Sequence, residues 1–157
     1  MRFFVVCLIG LGIAIVSGAL WRRWRKAQIE ATRRDAIQSF EEQRPVLTEK
    51  FLAAADATGK PRGLTWKNCE LSGEPLFATD QLTGELYALV TASISFEAIA
   101  GGDMEDVEAV SNLRCATAIF AYRDHSWTTN GRAVFNLEPA QSLERYQDSL
   151  TPFELRR

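Results

Sequence analysis

The hydrophobic pattern changes period three times along the chain. Residues 3–20, a run that Phe3 opens and Leu20 closes, contain no charged side chain. Eighteen helical residues rise about 27 Å, close to the hydrocarbon thickness of a bilayer. Between residues 26 and 58 the apolar positions recur at helical spacing: Ile29, Ala36, Ile37 and Phe40, then Val46, Leu47, Phe51, Leu52 and Ala55. Pro45 divides the two sets and predicts a break or kink. "TGKPRG" then ends the helix with two glycines and a proline.

From residue 64 the period becomes two. "LTWKNCEL" alternates loosely, and "PLFATD" and "GELYALV" flank "DQLTG", a hairpin loop in which Gly84 suits a positive φ. Residues 85–99 form the clearest predicted strand. Leu86, Ala88, Val90, Ala92, Ile94, Phe96 and Ala98 share one face, which requires a core; such a strand is central, not an edge. Tyr87, Thr91, Ser93, Ser95 and Glu97 share the other, which is wet or borders a groove. "LRCATAIFAYR", the turn "DHS" and "WTTNGRAVFNL" predict a further hairpin, with Gly131 at a bulge. Pro139 suits the first turn of a short last helix through Leu143 and Tyr146.

The expected fold is α+β: an N-terminal transmembrane helix, then helices packed on a four- or five-stranded antiparallel sheet. The expected divisions are residues 1–25, an anchor with its basic flank; 26–58, a helical connector and domain helix; and 59–157, the sheet with its last helix. This layout resembles the cystatin-like and NTF2-like folds, which serve many functions. The segment from "GDMEDVEAVSN" through "LRCATAIFAYRDHSWTTNGRAVFNLEPAQSLERYQ" also resembles uncharacterised bacterial proteins with a similar N-terminal anchor. That resemblance implies a bacterial, anchored protein and assigns no catalytic residue; the expected location, the bacterial inner membrane, follows from the apolar run and its flank.

Charge sharpens the picture at the apolar end. Residues 1–39 hold seven Arg/Lys and two Asp/Glu, while the remainder holds eleven and eighteen. The acidic remainder argues against nucleic acid as a partner. Trp21 and Trp24 follow the apolar run and suit a membrane interface, and Arg22, Arg23, Arg25 and Lys26 form a basic collar. Arg2 alone precedes the run, so the positive-inside rule places the domain in the cytoplasm. The rival is export: Ser17 and Ala19 have the spacing of a signal-peptide cleavage site. Gly10, Ala14 and Gly18 recur every four residues and would line a stripe for helix self-association.

Catalytic and metal chemistry find little support. Asp103, Glu105, Asp106 and Glu108 are dense in acid but fit no calcium loop, so a solvated loop is expected. His125 is the only histidine and falls in the polar "RDHS" turn. One His and scattered Cys give no zinc spacing. No cofactor is expected. Cys69 and Cys115 lie in predicted strands, to pair if exported or stay reduced if cytoplasmic. Trp66, Tyr87, Tyr122 and Trp127 would line a small-molecule groove in a curled sheet, or complete a core. The reading that follows is a membrane-anchored, non-enzymatic protein-interaction or assembly module, with a protein partner or second copy bound. The alternatives are an NTF2-like small-molecule-binding or hydrolytic domain and a pilin-like subunit.

Overall fold

A computed structural model describes the backbone of residues 2–58, 63–107, 110 and 112–154, and within these the side chains from residue 17 onward except 19, 26 and 27. The chain forms two compact units, Met1–Asp35 and Ala36–Arg157. The first unit is helical. Among the described residues no helix is long and apolar enough to cross a membrane. Most side chains of the expected span, those of Phe3, Gly10 and Ala14 included, lie outside the description, as does that of Lys26. Gly18 is described, and a methyl group added there would meet no atom within 4 Å.

Helix α1 (Arg2–Thr58) runs through Pro45 without the predicted break. An interior proline removes one helical hydrogen bond and costs about 3 kcal/mol. Here the turns on both sides are held by packing: Phe40, Leu47 and Phe51 are fully buried on the sheet. That burial is worth about 1.5–3 kcal/mol for each such side chain, which outweighs the local cost.

Among the described residues of the second unit six strands follow: β1 (Leu64–Asp80), β2 (Leu86–Ala98), β3 (Arg114–Arg123), β4 (Ser126–Thr128), β5 (Ala133–Phe135) and, after helix α2 (Pro139–Arg145), β6 (Leu150–Pro152). They make one antiparallel sheet of order β4-β3-β2-β1-β6, with β5 also pairing β3. The sheet is thus larger than the four or five strands expected. Two predicted segments merge into the single strand β1, which absorbs the mismatch at two irregularities, Trp66/Asn68 and Ser72/Leu76. Strand β6 carried no alternation in three residues and was not expected. As expected, β2 is central, flanked by β1 and β3.

The core lies between this sheet and the 36–58 part of α1. Leu86, Ala88, Val90, Ala92, Ile94 and Phe96 of β2 are all buried. Alanines at 88, 92, 116 and 118 keep β2 and β3 low, and large rings from the helix fill the space above them. Phe40 meets Phe120 at 5.4 Å and Trp127 at 4.9 Å, both edge-on, the arrangement aromatic quadrupoles favour.

The opposite face is not simply wet. Helix α2 packs on β1 and β2 there. Pro139 opens it, and Glu138 and Gln141 form a reciprocal capping box. Beneath it Leu89, Ala78 and Thr117 are buried, and so is Ser142 on the helix itself. The two buried hydroxyls are satisfied: Ser142 Oγ donates to Thr117 Oγ1 at 3.0 Å, and Thr117 Oγ1 donates to the Leu137 carbonyl at 2.7 Å.

The free edge of β1 is blunted. The Gly73 carbonyl accepts from Arg44 Nη1 at 2.9 Å, Pro75 has no N–H to offer, and β6 covers residues 78–80.

Candidate functional site

The sequence-derived candidates disperse in the fold. His125 is exposed in the β3–β4 turn with φ 61, beside Asp124 at φ 48. Asp103, Glu105 and Asp106 are exposed in the loop after β2, where Glu105 Oε2 accepts from the Gly101 N–H at 2.8 Å; Glu108 lies outside the described residues. Among the described residues no group of three or more His, Cys, Asp or Glu is placed to hold a metal.

The four aromatics do not line one groove. Trp66 and Trp127 are buried in the core and Tyr122 packs against it. Tyr87 is on the opposite face, because its strand alternates. The cysteines are likewise split. Cys69 pairs in register with Ile94 and is buried, whereas Cys115 pairs with Ser93 and is exposed. Neighbours on β2 face opposite sides, so the two thiols cannot pair within one chain in either compartment, and a Cys69–Cys115 bond cannot serve as a report of location. Burial pushes the Cys69 thiol up to about 11. Cys115 Sγ donates to Glu138 Oε1 at 3.0 Å, a bond that raises its pKa and favours the protonated thiol.

What does assemble is a shallow groove on the outer face, between the β4–β5 edge and the β6 side. Two adjoining cavities of about 330 and 290 Å³ share Tyr87, Ile119 and Arg132. The first adds Arg123, Thr128 and Asn130; the second adds Asp80, Tyr146 and Leu150. One wall is braced by charge. Arg123 donates from Nε and Nη2 to the two oxygens of Glu85 at 2.7 and 2.8 Å, and the Tyr87 hydroxyl donates to Glu85 Oε2 at 3.0 Å. The Arg123 hydrogen bonds hold the Glu85 carboxyl below its usual range. Tyr87 is shifted upward, first by burial and then by Glu85. The Asp80 carboxyl is lowered by Thr83, whose N–H and hydroxyl both donate to Oδ1, at 2.7 and 3.0 Å; the Leu82 N–H adds a third bond.

The brace predicts an acid response. Because the folded pKa of Glu85 is depressed, its contribution is fully present above the ordinary value of 4.5 and is lost as pH falls through the lowered one. Wild type should therefore lose stability in acid more steeply than Glu85→Gln, measured as urea midpoints from pH 7 down to 3. Parallel curves would show that Glu85 is not braced.

This groove was not read from sequence. Glu85 and Arg123 are 38 positions apart and meet only because Leu86 lies opposite Tyr122. The hairpin register would have paired them, but the connection between β2 and β3 is too long to set it. No family model, curated protein or solved structure matches the chain.

Proposed function

We propose that this protein is a membrane-anchored, non-enzymatic binding module, held by residues 3–20 with its folded domain in the cytoplasm. The observation that carries the anchor is the exposure of Trp21 and Trp24, 59% and 61%, beside an uncharged run. Large aromatics left in water are unfavourable, and a bilayer interface accommodates them. Arg25 lies over the Trp21 ring at 5.5 Å, so a cation accompanies the aromatic there. The binding role is supported by the filled core. Phe40, Phe51, Phe77, Phe120 and Trp127 occupy the space between helix and sheet that a ligand-holding cone of the NTF2-like kind would need. The outer groove is then the surface left for recognition. Assembly by extending the sheet is disfavoured along residues 73–77, where Arg44 and Pro75 blunt the edge.

The test is fractionation of the native protein. It should remain in membranes after alkaline carbonate, keep the intact mass of the full chain, and resist protease added to spheroplasts. A mature N-terminus at Leu20, or digestion from outside, would replace this reading with export.

A further inference from the structure

We propose that the outer groove binds a single carboxylate carried on a compact apolar body, with the guanidinium of Arg132 as its anchor. The charges and donors along the groove point to this chemistry. Arg123 and Glu85 are spent on each other. The Tyr87 hydroxyl proton is spent on Glu85. Thr128 and Thr129 donate their protons to the carbonyls of Ala121 and Ile119 at 3.1 and 3.0 Å. Oδ1 of Asp80 is taken by its own turn. Arg132 is different. Its backbone N–H donates to Asn130 Oδ1 and its carbonyl accepts from the Ile119 N–H, but its guanidinium has no partner among the described residues. The hydroxyls of Tyr146 and Ser149, in the same cavity, are also without side-chain partners among those residues.

Among the described residues the unspent donors are therefore the Arg132 guanidinium, the Asn130 amide and two neutral hydroxyls, which together suit a carboxylate, while Asp80 keeps its second oxygen as the one unspent anionic acceptor. Half-buried Tyr87, Ile119, Tyr146 and Leu150 supply the apolar surface beside them. The retained charges of Asp80 and Glu85 in and beside the cavities repel a second negative group, so a monoacid is preferred to a diacid. A cavity of 290 Å³ is at the small end for organic ligands, which fits one ring or one branched side chain. The same chemistry occurs in a free organic acid and at the C-terminus of a peptide. The inference rests on reading this domain as a binding module, but not on its anchor.

The experiment uses the full chain in detergent micelles, with arginine Nε–Hε resonances followed by NMR. N-acetylphenylalanine should produce a saturable shift in the signal that Arg132→Gln removes. The same substitution should weaken binding at least about tenfold, as loss of a charge-assisted hydrogen bond does. Its thermal midpoint should stay at the wild-type value, and Lys50→Gln, on the exposed side of α1, should bind as wild type does. N-acetylphenylalanine amide should not saturate. N-acetyl-Ala-Ala-Phe separates the sources: tighter binding than the single residue assigns the groove to a peptide terminus, and equal or weaker binding assigns it to a free acid. Equal affinity for acid and amide, unchanged affinity in Arg132→Gln, or no saturable shift with any of the acids overturns the proposal. A chain that stays in membranes yet ignores these acids overturns this inference alone.

Discussion

Gly131→Ala is expected to cost about 3 kcal/mol or more, from overpacking plus a left-handed backbone. Gly131 has φ 74, and a Cβ built there would collide with the backbone of α1 at Ala55 N, at Ala55 Cα (2.5 Å) and at the Ala54 carbonyl carbon (2.6 Å). These are backbone atoms of a helix turn held on the sheet by buried Phe51 and Ala55, so they cannot retreat as a side-chain tip would. The irregular crossing between β4 and β5 brings the chain against the helix end, and only glycine fits. Gly84→Ala is the internal control. Gly84 also has φ 74, but no atom lies within 4 Å of its added carbon, so only backbone strain of about 1 kcal/mol remains. Urea denaturation of the two variants side by side measures the difference. If both lose the same amount, the close approach of α1 to residue 131 is wrong.

Trp127→Ala should cost about 3–5 kcal/mol, the range for emptying a buried aromatic site. Trp127 is 1% exposed on a strand of only three residues. Its ring packs on Phe40, Phe77 and Tyr122, and Nε1 donates to the Ala36 carbonyl of α1 at 2.8 Å. The side chain thus joins β4 to the helix, a job that three residues of ladder cannot do alone. Trp127→Phe separates the two contributions. It retains most of the ring packing but loses the indole hydrogen bond, worth about 1 kcal/mol, and leaves a smaller cavity. It should therefore lie between wild type and Trp127→Ala in denaturant midpoint. A Phe variant as unstable as the Ala variant would locate the whole effect in the polar contact; an Ala variant within about 1 kcal/mol of wild type would show that β4 is not pinned to α1.

The outer groove illustrates how binding surfaces escape a linear reading. Tyr87 was visible as a strand residue, and Arg123 and Arg132 as ordinary charges on a hairpin. Their meeting depends on the register of β2 against β3 and on the placement of α2 and β6, which carries Tyr146 and Leu150 to the same face. Three of the four aromatics that suggested a pocket went instead to the core side, because their strand positions have the parity of Leu86 and Ile94.

Local physical chemistry alone settled a good part of this protein. Strict alternation over residues 86–98 determined a central strand with one buried face, since only a covered sheet can bury so many alternate apolar side chains. The Asp80–Gly84 turn and Pro139 at the start of α2 follow from side-chain acceptors and fixed φ, which need no distant partner. Tertiary structure decided the rest. Proline 45 stays inside α1 because burial of Phe40, Leu47 and Phe51 against the sheet exceeds the loss of one helical bond. Strand β6 exists because Leu150, Thr151 and Pro152 find residues 78–80 waiting, not through any propensity of three residues. The groove and the separation of Cys69 from Cys115 follow from register, and register across the long connection between β2 and β3 is set by how the whole core closes, not by the residues of the connection itself.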